Sequence, residues 1–308
     1  MLAISTSFIS SWESFGAKDL MRYLDELSIN AVELEYRIPA SRYIDIKINL
    51  KQANIKVTSI HNFFPYAPLN PHLRPSGDLF SLADLDSDKR KLAVLGTERT
   101  IAHANDLEAG AVVLHCGFVE MEHQFQQLSD YLTQNQIKSQ ASQTFIKQKI
   151  ALLEQKKEKH LPCLLFSLER LLRMAEKEGV RLGLENRFHY YELPTPSDFA
   201  HIFDEFQGAA VGYWHDTGHA HALEKLTLTE PGFLLKNYSQ NLIGMHLHDA
   251  IGLKDHLAPG KGEIHLKEIL SEIDKNNTTF VLELKPGTSK QDIQSGILQL
   301  SPAFCGLR

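Results

Sequence analysis

The stretch Tyr213–Ala222 reads YWHDTGHAHA and holds His215, Asp216, His219 and His221 directly after the apolar lead-in AAVG. Imidazole and carboxylate at that density can move protons near neutral pH or ligate a divalent cation. The same residue types close other apolar runs: His61 in SIHNF, His115 in VLHCG, Glu185 in GLENR, His246 and His248 in GMHLHD, and Glu283 in VLELK. Singly, each is most simply a satisfied core or loop residue. Together they pose an electrostatic problem. If Glu185, Asp216 and Glu283 converge, each like-charge pair at ~4 Å costs about 4 kcal/mol at an effective dielectric of about 20. A bound divalent ion reverses the sign of that interaction. Neutral imidazoles then complete a mixed nitrogen and oxygen shell that suits Zn, Mn, Fe or Co better than Ca.

Bringing these groups to one face requires a particular scaffold. Short β-rich runs recur at 2–7, 31–37, 57–63, 111–117, 181–187, 211–217, 242–250 and 279–285. Between them lie segments with helical spacing of apolar residues, among them AKDLMRYLDELSI, SDKRKLAVLGTERTIAHANDLEAG and FSLERLLRMAEKEG, the last two closing on a glycine as helix C-termini prefer. Alternating strand and helix across 308 residues predicts parallel strands with right-handed crossovers, closed into an α/β (β/α)8 TIM barrel as one domain over residues 1–308. Chemistry in such a barrel collects where strands end and βα loops begin, which is where the acids and imidazoles fall. Two connections are unusually long. The Pro-rich stretch 64–87 reads as an active-site loop. The polar, Gln- and Lys-rich stretch 118–160 reads as a solvated helical insertion after strand 4; a lid or a subunit contact, and with it a homo-oligomer, is the sharper alternative.

Composition bounds the partners. Lys and Arg number 32 against 38 Asp and Glu, a net charge of -6, so there is no electrostatic footprint for non-specific nucleic-acid or anionic-membrane binding. Cys116, Cys163 and Cys305 are too few and scattered for a disulfide framework or a CxxC metal site. The start, MLAISTSFISSWESF, lacks a basic segment followed by a long apolar run, and no stretch reaches the length of a membrane span. The expectation is a cytoplasmic protein.

Other residues divide between plain and functional roles. Period-two alternation puts Arg187 on the same side as Glu185, where it could hold a substrate anion or pair with a neighbouring acid; both readings stay open. His248 shares a face with His246 and reads as an orienter of ligands, Cys116 as core, and His221 as a helix-surface residue. The run His256–Gly262, HLAPGKG, resembles a phosphate loop but lacks GxxxxGK[ST], so no nucleotide site follows.

Taken in order, His61, His115, LGLENR, HDTGHAH, GMHLHD, DHLAPGKGEI and LELK resemble the xylose isomerase-like barrel superfamily of sugar-phosphate isomerases and epimerases, which also contains endonuclease IV-type AP endonucleases. The resemblance covers nearly the whole chain. It implies an enzyme with a metal site of Glu185, Asp216, His246 and Glu283, and it makes His61, His115, His219 and His256 candidate ligands of additional metals. One to three divalent ions are implied, with Mn, Zn or Co foremost and Mg or Fe within range. Two positions depart from the pattern. Gly252 stands near the place where ketose 3-epimerases carry an arginine. Lys254 stands where endonuclease IV has an aspartate, with the acid one residue later at Asp255.

The leading reading is a divalent-metal-dependent isomerase or epimerase of a small sugar, sugar phosphate or related polyol, acting by proton transfer through a metal-stabilised enediolate. Glu185 and Glu283 would exchange the proton, His219 would polarise an oxygen or hold a further metal, and Arg187, His61 and His115 would contact substrate. The alternative is a metal-dependent phosphodiester hydrolase of the endonuclease IV type, supported by the extra histidines and weakened by the acidic total. A barrel that keeps its metal as a structural or ligand-binding element is the third.

Overall fold

The computed structural model describes residues 1–67 and 73–304. Cys305 and residues 68–72 of the long Pro-rich loop lie outside the described residues. The eight β-rich runs all form strands: β1 (Leu2–Ser5), β2 (Ala31–Leu34), β3 (Lys56–His61), β4 (Ala111–Leu114), β5 (Arg181–Glu185), β6 (Val211–Asp216), β7 (Leu242–Leu247) and β8 (Thr279–Leu282). They close into a barrel in the order β1-β8-β7-β6-β5-β4-β3-β2, every neighbouring pair parallel. Helices α1 (Ala17–Glu26), α2 (Tyr43–Gln52), α3 (Ser87–Asp106), α4 (Phe125–Thr133), α5 (Gln140–Glu178), α6 (Asp198–Glu205), α7 (Thr217–Lys225), α8 (Phe233–Tyr238), α9 (Leu266–Ser271) and α10 (Lys290–Phe304) fill the crossovers. Most strands stop a few residues short of the sequence expectation. The residues left over, such as Glu35, Asn62, Cys116 and Asn186, leave the ladder to build the barrel mouth. Among the described residues, no helix is long and apolar enough to cross a membrane.

Two helix ends behave differently. Gly179 closes α5 in the left-handed region at φ 69°, as expected of a glycine after a helix. Gly110 does not close α3: that helix ends at Asp106, Glu108 takes φ 55°, and the Gly110 N–H already bonds Thr58 O at 3.1 Å beside β4.

The 118–160 stretch is helical, but it is not a separate solvated appendage. Its second half runs unbroken into the crossover helix, giving the 39-residue α5. Phe145, Ile146 and Leu153 are buried along that helix, so an apolar stripe hidden within a polar composition anchors it.

Inside the barrel, Ala3, Ala31, Ala111, Val113, Ile243 and Val281 surround Trp214 in a small buried cluster. Gly183 and Gly244 flank the indole so closely that a β-carbon at either would overlap it. The small residues thus make room for one large ring, which packs edge-on beneath His246 with ring centroids 5.3 Å apart. Trp214 is the floor on which the polar mouth is built.

Candidate metal centre

The junction of β6 and α7 gives each residue of HDTGHAH a separate place. Asp216 caps α7, its Oδ1 accepting the His219 N–H at 2.7 Å, which satisfies an amide the helix would otherwise leave free. His215 is buried with Nδ1 2.6 Å from the Tyr213 hydroxyl, and burial lowers its pKa to about 4. His221 turns away to Glu263, 3.1 Å distant; it is partly buried in that contact and not on the open helix surface expected for it. At Gly218 a β-carbon would overlap the His248 ring, so glycine lets that imidazole lie against the helix start.

Ligand atoms of Glu185, Asp216, His246 and Glu283 all lie within 4.8 Å of one another. The same holds for His61, His115 and Glu185, for His219, Asp255 and His256, and for Asp216, His248, His256 and Glu283. Every sequence-predicted ligand therefore enters at least one set, and Glu185, Asp216, Glu283 and His256 each enter two. Asp255 belongs with them: its Oδ2 stands 3.9 Å from His219 Nε2 and its Oδ1 3.2 Å from His256 Nδ1. The one-residue displacement noted in the sequence does not remove the acid from the cluster.

The charges in this site are extreme. Burial and the Arg187 guanidinium both work to lower the His115 pKa, yet the Asp78 and Glu185 carboxylates lift it to about 9. His246 and His256 are likewise held well above the usual histidine value against the effect of burial, by Glu283, Glu33 and Glu185 in the first case and by Asp255 and Glu283 in the second. Burial alone would raise the acids, but the imidazoles outweigh it: Glu185 falls well below the carboxylate range, Glu283 falls to about 2, and Asp216 is depressed by His219 and His248. Protons on histidine supply the positive charge that the acids require.

The donor chemistry fits a divalent metal. Glu185 Oε2 is buried and, among the described residues, has no hydrogen-bond partner. His115 Nε2 lies 2.8 Å from it, but as an ion contact without hydrogen-bond geometry. His61 turns Nδ1 to its neighbour Asn62 O at 2.9 Å, leaving Nε2 free 3.5 Å from the same Glu185 oxygen. Orphaned lone pairs converging from two strands suit a metal better than they suit one another. His219 similarly sends Nδ1 to Asn186 O at 3.0 Å, and burial lowers its pKa. Its Nε2 is then an acceptor, so a neutral His219 suits ligation and not the donation that polarising a substrate oxygen would need.

Further residues were missed in the sequence. Glu33 is wholly buried with both oxygens 3.1 Å from His246 Nε2. Its place near the end of AVELEYR matches the other acids and could have revealed it. Glu35, two residues on, is drawn off by Trp12 Nε1 at 3.1 Å and Arg37 Nε at 2.9 Å. Asp78 lies in the 64–87 stretch read as an active-site loop, and Glu192 in a two-residue strand outside the barrel, Glu192–Leu193; no local motif marks either one. They pair with Arg187, whose Nη2 lies 3.1 Å from Asp78 Oδ2 and 3.4 Å from Glu192 Oε1, with Nη1 3.7 Å from Glu185 Oε2. The salt-bridge reading has its partners here, while Arg187 Nε and Nη1 are buried with no hydrogen-bond partner among the described residues, so contact with a substrate anion stays open beside it. His248 Nε2 bonds both Asp216 oxygens at 3.0 and 2.8 Å, and Cys116 is buried in the core.

The loop that resembled a phosphate cradle holds an anion from its own chain. Asp249 is buried and accepts backbone N–H bonds from Ala250, Gly260, Gly262 and Ile264 at 2.8–2.9 Å. Gly260 stands at φ 84°, and a β-carbon at Gly262 would strike Ala250 O and Asp249 Oδ1. An internal carboxylate fills the nest, and the loop it gathers follows directly on the hairpin strand carrying Asp255 and His256.

A family model for xylose isomerase-like TIM barrels matches residues 21–300. The chain belongs to that family. Among solved structures, this xylose isomerase-like barrel is similar to a 3-keto-D-glucoside 4-epimerase of E. coli, at 13% identity and a TM-score of 0.65, with 98% of each chain covered. It is also similar to a D-psicose 3-epimerase of Clostridium cellulolyticum in a structure with D-tagatose, at 15% identity and a TM-score of 0.66, again covering 98% of each. At these identities the likeness is one of fold. An uncharacterized protein of Sinorhizobium fredii is 32% identical over 113 residues, which span 36% of this chain and 32% of that protein's length.

Proposed function

We propose that this barrel is a divalent-metal-dependent isomerase or epimerase of a small sugar or related polyol. One observation carries the reading: Glu185 Oε1 and Glu283 Oε2, from different strands, stand 2.8 and 3.0 Å from the same His246 Nδ1. Two buried acids that meet at one point can stand on either side of a carbon bound there. Glu185, Asp216, His246 and Glu283 would hold the ion, which when bound supplies positive charge to oppose the negative charge developing on the substrate oxygens. Both glutamates are held ionised, Glu283 at about 2 and Glu185 well below its usual range, so each carries the negative charge that a bound cation requires. One carboxylate would take the proton from the carbon next to the carbonyl, and one would return a proton to the product. Glu33 would orient His246 through Nε2, and His248 would brace Asp216. His61 and His115 would face the substrate or a further metal. The two sugar epimerases of like fold are in keeping with this chemistry.

The test is solvent deuterium wash-in at the carbon beside the carbonyl, across ketoses, inososes and hydroxypyruvate, with Mn-, Zn- and Co-loaded protein. Exchange that Glu185→Gln and Glu283→Gln each abolish supports the assignment. Absence of exchange with every metal and substrate overturns it.

A second reading is favoured by a specific observation. The His219, Asp255 and His256 set lies beside the other donors, and sets that share residues, as these share Glu185, Asp216, Glu283 and His256, would suit a multinuclear hydrolase of the endonuclease IV kind. Incision of a duplex containing an abasic site separates the two readings.

A further inference from the structure

We infer that Tyr36 is a substrate-binding residue whose hydroxyl donates a hydrogen bond to one hydroxyl oxygen of the molecule held at the metal centre; this deepens the proposed function and rests on it. Tyr36 follows β2 in a turn that the fold pins from two sides. Arg37 Nη2 donates to Ser7 O at 2.6 Å, just past β1, and the Tyr66 N–H, in the loop after β3, donates to Ile38 O at 2.8 Å. Glu35 tightens the turn, its Oε2 accepting the Arg37 N–H at 2.8 Å. A side chain carried on so fixed a turn loses little freedom when it meets a ligand.

The ring packs directly on the donor cluster. Tyr36 meets His61 edge to face, with ring centroids 5.2 Å apart and planes at 73°, and His61 Nε2 stands 3.5 Å from Glu185 Oε2. Its hydroxyl feels the charges of Glu283, at the end of β8, and of Asp78, in the loop after β3, so it lies between two sides of the barrel mouth. Burial and the Glu35, Glu283 and Asp78 carboxylates together push the phenol well above its ordinary pKa, which keeps it an O–H donor.

What distinguishes this hydroxyl is that the fold does not use it. Among the described residues it has no hydrogen-bond partner, although the side chain is half-buried. Other neutral donors around the centre are engaged: Ser59 Oγ donates to Glu33 Oε2 at 2.7 Å, Asn62 Nδ2 to Thr97 Oγ1 at 2.9 Å, Asn186 Nδ2 to Asp216 O at 3.0 Å and Thr217 Oγ1 to His248 O at 2.8 Å. The imidazoles do not replace it, because His61 and His219 turn Nδ1 to backbone carbonyls and a ligating Nε2 has no proton to give. In the proposed chemistry the oxygens at the reacting carbons face the ion. A further substrate hydroxyl is then the acceptor for Tyr36, since the carboxylates around the phenol repel an anionic group.

Titration calorimetry on the Mn-loaded full chain tests this with D-fructose, D-tagatose, D-psicose and D-sorbose as probes, and then with the monodeoxy analogues of the tightest binder. Tyr36→Phe keeps the ring against His61 and removes only the hydroxyl. The variant is expected to bind the parent sugar about tenfold more weakly. One deoxy analogue should bind the wild type about tenfold more weakly than the parent does, yet bind the variant as tightly as the parent does. Metal affinity, read by chelator competition, should stay unchanged, which a role in shaping the donor cluster would not allow. Equal binding of the parent sugar by both proteins, deoxy analogues that all weaken alike in wild type and variant, loss of metal affinity in the variant, or binding of no ketohexose would overturn the inference. The readout is independent of turnover. Coupling between Tyr36 and one hydroxyl without deuterium exchange sinks the isomerase reading alone, and exchange with sugar binding indifferent to Tyr36→Phe sinks the Tyr36 assignment alone.

Discussion

Glu33 holds His246 from across the barrel: both carboxylate oxygens on β2 stand 3.1 Å from the Nε2 of an imidazole delivered by β7. Glu33 is itself fixed by the Ser59 hydroxyl, which donates to Oε2 at 2.7 Å. A carboxylate on the far nitrogen of a ligating imidazole sets its tautomer and raises its basicity. Glu33→Gln should therefore weaken metal binding about 10- to 100-fold while the far-ultraviolet circular dichroism stays unchanged. Competition against a chromophoric chelator measures it.

Glu185 enters two donor sets, so its loss should be felt twice. Glu185→Gln is expected to lower proton exchange by about 10²- to 10⁴-fold and to reduce the metal content per chain. Elemental analysis of the wild type and the variant checks the second part. One ion per wild-type chain agrees with proton transfer, and three would favour phosphodiester hydrolysis.

The metal-free protein should lose stability as pH rises. His115 at about 9, together with His246 and His256, stands above the ordinary histidine value of 6.5. Between 6.5 and about 9 the folded chain thus holds more protons than the unfolded one. The stabilisation is complete below the unfolded value and is lost as pH climbs through the folded one. Thermal melts of chelated protein should move down across that window, and melts of metal-loaded protein should not. Metal must displace the same protons, so its apparent affinity should tighten by about tenfold per pH unit for each proton released.

The Asp249 nest should be worth more than a single contact. Four backbone amides point at one buried carboxylate, and hydrogen bonds to charged groups contribute about 1.5–3 kcal/mol each in isolation, with strong non-additivity. Asp249→Ala is expected to cost about 3 kcal/mol or more in urea unfolding. Hydrogen exchange should show the Gly260, Gly262 and Ile264 amides deprotected well before the barrel strands.

Arg187 is buried against Asp78, Glu192 and Glu185. Removing one member of such a cluster leaves uncompensated charge, at a cost of about 3–5 kcal/mol. Arg187→Ala should show that loss by chemical denaturation. Arg187→Lys should restore it only in part, because an ammonium cannot fork between two acids.

By itself the sequence determined the barrel, because strand and helix alternate by local apolar periodicity and the turn residues fall between them. It also determined which end carries the chemistry: His61, Glu185, Asp216, His246 and Glu283 all stand at the last positions of apolar runs, and parallel strands deliver such positions to one mouth. Only the tertiary structure decided the partnerships. Glu33 orients His246 across 213 residues of chain, and Asp78 engages Arg187 across 109. Neither pairing has a local pattern, since loop closure and not periodicity brings those residues together. The apolar stripe of α5 is by contrast a local pattern, masked by the polar composition around it, whereas tertiary contact explains why a glycine-rich loop that resembled a phosphate cradle wraps Asp249 instead. A hydrogen-bonding nest accepts whichever anion the fold brings to it first, and here the fold supplies its own.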